Sequence, residues 1–80
     1  MTERVKLIWD FRGPNAAPIA KHHAKHLGEF ADTEGLLNTL HGFEKFSEHH
    51  HIAYLVVDKT HMNDLRESLK PTRGQLYNKK

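Results

Sequence analysis

Eight of the eighty residues are histidine, and six of these stand in two groups, His22, His23 and His26 in one stretch and His49, His50 and His51 in another. Imidazole changes charge nearest neutral pH and is the commonest metal ligand, so this enrichment carries most of the specific chemistry open to the chain. A spacing of four on a helix turns His22 and His26 toward one cation, with Glu29 close enough in angle to assist. Zinc, nickel and copper are the metals that such donors suit. Two imidazoles fall short of the three or four protein ligands of a zinc site, so the hairpin histidines or a second subunit would have to complete it. The His-Glu-x-x-His pattern of metalloproteases is missing. Three consecutive histidines in a turn point in different directions, and a solvated turn is the plainer reading of His49 to His51.

His23 differs from its neighbours because apolar residues flank it around the helix. Burial favours its neutral ring, which makes it the candidate catalytic acid or base in a pocket between helix and sheet. A core imidazole packed on Trp9 or Phe11, its polar atoms satisfied, accounts for the same pattern without catalysis. Asp10 could orient such a base, but strand alternation places it opposite Trp9, away from the helices. Arg12, Gly13 and Asn15 stand before a helix, and the expected topology brings Arg73 to the same end. Helix N-terminal N–H groups and guanidinium both favour phosphate or carboxylate, so these four residues form a candidate anion site. The alternative is an ordinary capped turn with two surface arginines.

The elements that must position these residues follow from periodicity. Val5, Leu7, Trp9 and Phe11 alternate with Arg4, Lys6, Asp10 and Arg12, which predicts a strand with one buried face that Ile8 alone interrupts. Gly13-Pro14-Asn15 ends it, with Asn15 placed to cap a helix from about Ala16 to about Ala31. On a helical wheel Ile19, Phe30, Ala16, Leu27, Ala20, Ala31 and Ala24 share one arc with His23, while Lys21, Lys25 and Gly28 lie opposite. Leu36, Leu37 and Leu40 fit either a helix or a strand, and the Phe43 to Phe46 spacing suits a bulged strand. Ile52 to Val57 is a β-branched-rich run buried on both faces. Thr60 can cap a second helix through about Leu69, with Met62, Leu65 and Leu69 as its buried stripe, and Arg73 to Tyr77 reads as a short edge strand.

That order, in a single domain spanning residues 1–80 with a basic tail at 78–80, predicts an α+β ferredoxin-like two-layer sandwich (βαββαβ), its antiparallel sheet covered by two helices on one face. Such a fold carries no function by itself. The third strand and Ile8 offer apolar residues to the uncovered face, which predicts a homodimer formed through the open sheet face or another cover for it.

Composition bounds the remaining classes. The chain holds no cysteine, which excludes disulfides, thiolate nucleophiles and cysteine-based zinc sites. No apolar run is long enough for a membrane span, and the basic start and apolar stretch of a secretory signal are missing, so a cytoplasmic protein is expected. Net charge is +2 at pH 7, and protonating all eight histidines would add eight more. A small binding or regulatory module for a metal ion or small anion is the leading expectation. A cofactor-free enzyme of the dimeric α+β barrel type, using histidine as acid or base, comes next. An RNA-binding domain comes last, because Ile52-Ala53-Tyr54-Leu55-Val56-Val57 lacks the basic and aromatic signature of a central RNA-binding strand.

Overall fold

The alternating residues of Arg4–Arg12 form strand β1, and Ala16–Thr33 form helix α1. Leu40–Ser47 and His50–Asp58 make strands β2 and β3, and a 3-10 turn at Lys59–His61 leads into helix α2, Met62–Leu69, and strand β4, Arg73–Tyr77. This is a computed structural model, and it describes residues 3–36 and 39–77. Leu37 and the tail at 78–80 lie outside the described residues.

The sheet order is β2-β3-β1-β4, and all three neighbouring pairs are antiparallel. It follows that α1 links two parallel strands that flank β3, and α2 links two that flank β1. Both helices lie on one side. Val5, Leu7 and Trp9 of β1 and Ala53, Leu55 and Val57 of β3 form one buried cluster with Ala24, Leu27 and Ala31 of α1 and Leu65 of α2. The protein is thus an α+β two-layer arrangement of a four-stranded antiparallel sheet and two helices. Among the described residues, no helix is long and apolar enough to cross a membrane.

Helix α1 is rotated relative to the expected wheel. Ile19 is 50% exposed, whereas Gly28, expected on the outer side, is buried. The row Ala16, Ala20, Ala24 and Gly28 faces inward instead, since residues four apart stack along one side of a helix. The cause is close approach. His41 of β2 lies on Gly28 so tightly that an added Cβ would stand 2.6 Å from its Nε2. Small side chains let the backbone come near, and apolar bulk at Ile19 then has no place beneath the helix.

Two start signals also differ from expectation. Asn15 occupies the N-cap position of α1 but makes no side-chain cap hydrogen bond, and Thr60 falls within the 3-10 turn, so α2 begins later, at Met62. The bulged strand is β2, whose register shifts between Lys45 and Ser47.

Ile8, Ile52 and Val56 face away from the helices, yet each is 2% exposed or less. Side chains of the sheet itself cover them. Tyr54 lies across Gly42 of β2, where an added Cβ would meet its hydroxyl at 2.8 Å. The Lys6 ammonium sits 4.4 Å from the Tyr54 ring centre and donates to Glu44 Oε1 at 3.0 Å. Since Lys6 is on β1 and Glu44 on β2, its aliphatic stem must cross β3. Arg73 and Phe46 stand on the two opposite edges, but the guanidinium carbon is 5.8 Å from the ring centre, so these side chains meet above the central strands. Arg4 covers the ring of Tyr77, its register partner on the adjacent strand β4, at 5.1 Å.

Trp9 joins the two layers: its ring is buried, and its Nε1–H donates to the Leu69 carbonyl at 3.1 Å. Trp9→Ala is expected to cost about 3–5 kcal/mol, through lost burial and an unpaired carbonyl at the end of α2. Urea denaturation followed by circular dichroism measures this, and an unchanged midpoint would contradict the placement of Trp9 in the core.

Candidate functional site

Four strands each send one residue to one end of the open face: Asp10 from β1, Phe46 from β2, His50 from β3 and Arg73 from β4. The Asp10 carboxylate is their centre. His50 Nε2 is 2.7 Å from Oδ1, and Arg73 donates from Nε to Oδ2 at 3.0 Å and from Nη2 to Oδ1 at 3.2 Å. The Asp10 and His50 side chains are 12% and 16% exposed. The Phe46 ring lies edge-on to His50 with centres 5.0 Å apart. On the backbone side, Asp10 N–H donates to Thr72 Oγ1 at 3.2 Å.

Hydrogen bonding from Arg73 holds the Asp10 carboxyl below its ordinary value of 3.8; burial opposes this, and His50 adds to the lowering. An ionised carboxylate can only accept, so the proton between the two groups resides on His50 Nε2, and Nδ1 is the nitrogen left as acceptor in the neutral ring. This is a part-buried carboxylate–imidazole hydrogen bond with a partly hydrated guanidinium on one side and an aromatic ring on the other. Its geometry can orient an imidazole, and it ties β1, β3 and β4 together. Alternation along β1 predicts Asp10 on this face, and the register agrees. The sequence does not single out His50 as its partner, although extending the third strand two residues backward from Ile52 puts it on the same face.

The remaining histidines divide sharply by side. His50 and His51 are both strand residues rather than parts of the turn. His51 points toward the helices, is buried, and pairs in register with Phe11. Its Nδ1 and the Nε2 of His23 are buried without hydrogen-bond partners among the described residues. His23 packs on Trp9 and Phe11, with ring centres 5.0 and 5.5 Å away. Burial lowers its pKa from the ordinary 6.5, and His26 and His22 add to the lowering. The neutral ring is therefore favoured, but Asp10, on the other side of the sheet, is bonded to His50 and not to His23.

His22 and His26 converge as the spacing required. Their Nε2 atoms are 2.9 Å apart. Glu29 stands behind them, with Oε1 3.3 Å from His26 Nδ1 and both side chains well exposed. The carboxylate thus faces the His26 nitrogen that points away from His22. Among the described residues, no group of three or more metal-binding side chains gathers at one point.

Of the four residues expected to bind an anion, Arg73 is engaged by Asp10, and Gly13, at φ +110°, donates its N–H to the His49 carbonyl at 2.8 Å. Arg12 and Asn15 are exposed near the start of α1. No protein-family model, curated protein or solved structure matches this chain.

Asp10→Asn is expected to lower stability at neutral pH by about 2 kcal/mol, since Arg73 and His50 lose a charged partner in a mostly dry setting. The lowered carboxyl pKa fixes the sign of the pH dependence. The stabilisation is fully present above 3.8 and is lost as pH falls through the lower folded-state value. Denaturation of both proteins at several pH values should show their difference shrinking only in that acid window. An equal difference at all pH values would argue against an ionised Asp10.

Proposed function

We propose that this chain is a small binding module of ferredoxin-like architecture that takes up a transition-metal ion through His22 and His26 on the outer side of α1. One observation carries the reading: two Nε2 atoms 2.9 Å apart, one on an imidazole whose other nitrogen faces a carboxylate. A carboxylate behind a ligating histidine orients the ring and raises its basicity, and that is the role of Glu29 rather than direct ligation. A metal about 2.1 Å from each nitrogen would see them at about 90°, an angle of square-planar or octahedral ions. Nickel and copper therefore fit this spacing better than tetrahedral zinc. Water or a second copy fills the other positions, and protons compete with the ion for both nitrogens.

The proposal includes a homodimer, with its interface moved from the open face to the β2 edge. Ile8, Ile52 and Val56 are already dry within one chain, so they offer little further burial. Leu40, Phe43 and Phe46 are exposed large apolar residues on β2, an edge strand whose unpaired backbone groups favour pairing with another strand. A nucleic-acid role is weakened by the same face. The rings of Phe46, Tyr54 and Tyr77 each carry a cation of this chain, and stacking bases would have to displace them.

Titration of tag-free protein with nickel or copper chloride, read by calorimetry and native mass spectrometry, tests the metal site. One ion per chain is expected, lost in the His22→Ala, His26→Ala double variant and weakened roughly tenfold in Glu29→Gln. Unchanged uptake in the double variant would place the metal elsewhere and end this reading. Sedimentation of metal-free protein at tens of micromolar tests the dimer separately: Phe43→Lys, Phe46→Lys should convert a dimer to a monomer, and a monomeric wild type would overturn that part.

A further inference from the structure

A cleft of about 380 Å³ lies between α2 and β4, on the helix side of the sheet and away from the histidines of α1. It exists because this corner is underfilled. Helix α2 has only 8 residues and buries only Leu65. Strand β4 turns Gly74 and Leu76 toward the helix layer, opposite Leu7 and Val5. An added Cβ at Gly74 would meet only Leu7 Cδ2 at 3.5 Å and the Lys6 carbonyl at 3.8 Å, ordinary contacts. Gly74 is not among the glycines with positive φ. The backbone there does not require glycine, and what its bareness provides is space.

Val5, Leu7, Met62 and Leu76 make the apolar lining, and Lys59 and Arg66 supply exposed cations; no Asp or Glu lines the cleft. Arg73 also borders it, but its guanidinium is held by Asp10 on the other face. Lys59 has one exposed pairing, with Glu3 at 3.5 Å. Among the described residues, Arg66 has no side-chain hydrogen bond or ion pair. An apolar cleft of this size falls within the small-molecule range, and an unpaired guanidinium with a weakly paired ammonium beside it selects a negative head group.

We infer that this cleft binds a small amphipathic monocarboxylate, its head on Arg66 and Lys59 and its saturated tail against Leu7, Met62 and Leu76. The inference is independent of the metal proposal, since no residue is shared. Octanoate is the probe, with octan-1-ol and acetate as the tail-only and head-only controls, followed by amide NMR shifts and calorimetry on the full chain. Octanoate should saturate with shifts centred on Gly74, Leu76 and Arg66, and each control should bind at least tenfold more weakly. Arg66→Gln should weaken octanoate about tenfold, the loss of a charge-assisted contact at a half-open site. Gly74→Val should remove binding while leaving the thermal melt and the nickel titration unchanged. Binding of octan-1-ol or acetate equal to that of octanoate, retained binding in Gly74→Val, or no saturable shifts would each overturn the inference.

Discussion

The Asp10 carboxylate is the point at which this sheet is fastened. It lies on a central strand, and its oxygens accept from a residue of the other central strand and from a residue of the edge strand β4. A buried carboxylate without partners would cost several kcal/mol in desolvation, so its neighbours are constrained as strongly as it is. Arg73 has to lie across Ile8 to reach it, and His50 has to sit beside it. Phe46 then closes over His50. The same reach that neutralises the charge lays aliphatic and aromatic surface over Ile8 and Ile52.

A two-layer sandwich leaves one sheet face without a covering layer, and this chain answers with side chains of the sheet itself. Two crossings couple a cation to a ring and an acid, Lys6 with Tyr54 and Glu44 and Arg73 with Phe46 and Asp10. Individual cation–ring contacts contribute about 0.5–1 kcal/mol at exposed sites. Their larger effect is exclusion of water from Val56, Ile52 and Ile8. The consequence for association is direct: a face that is already dry gains little from a second copy, whereas the β2 edge, with three exposed apolar side chains, still has surface to bury.

The sequence made β1, β3, β4 and the start of α1 readable, because alternation, β-branched runs and Gly-Pro punctuation are local signals. The rotation of α1 was not readable. A wheel weighs Ile19 above Gly28 by hydrophobicity, but the contact that decides the angle is with His41, thirteen residues beyond Gly28 and on another element. Strand β2 was obscure for a related reason: it has no buried residue to create alternation, and a bulge interrupts its period. The His22 and His26 pair was legible, since both residues and their geometry belong to one helix. The Asp10 cluster was not, because it requires the registers of three strand pairs together. His49, His50 and His51 show how little a run of identical residues says by itself. One occupies the turn, one the open face and one the core.

The two helices cover the same sheet in opposite ways, and this difference sets where ligands can reach. Helix α1 is 18 residues long and lies close because its inner row is alanine and glycine. The polar chemistry open to solvent is on its outer side, where His22, His26 and Glu29 stand. Helix α2 is less than half as long and is fastened near its end by the Trp9 to Leu69 hydrogen bond. It cannot extend over the middle of β4, and Gly74 does not fill the gap from below. Chemistry at that helix is therefore underneath, in a cleft where apolar contact and charge act together. Bareness at two glycines serves both outcomes: Gly28 lets one helix close onto the sheet, and Gly74 leaves the gap beside the other unfilled.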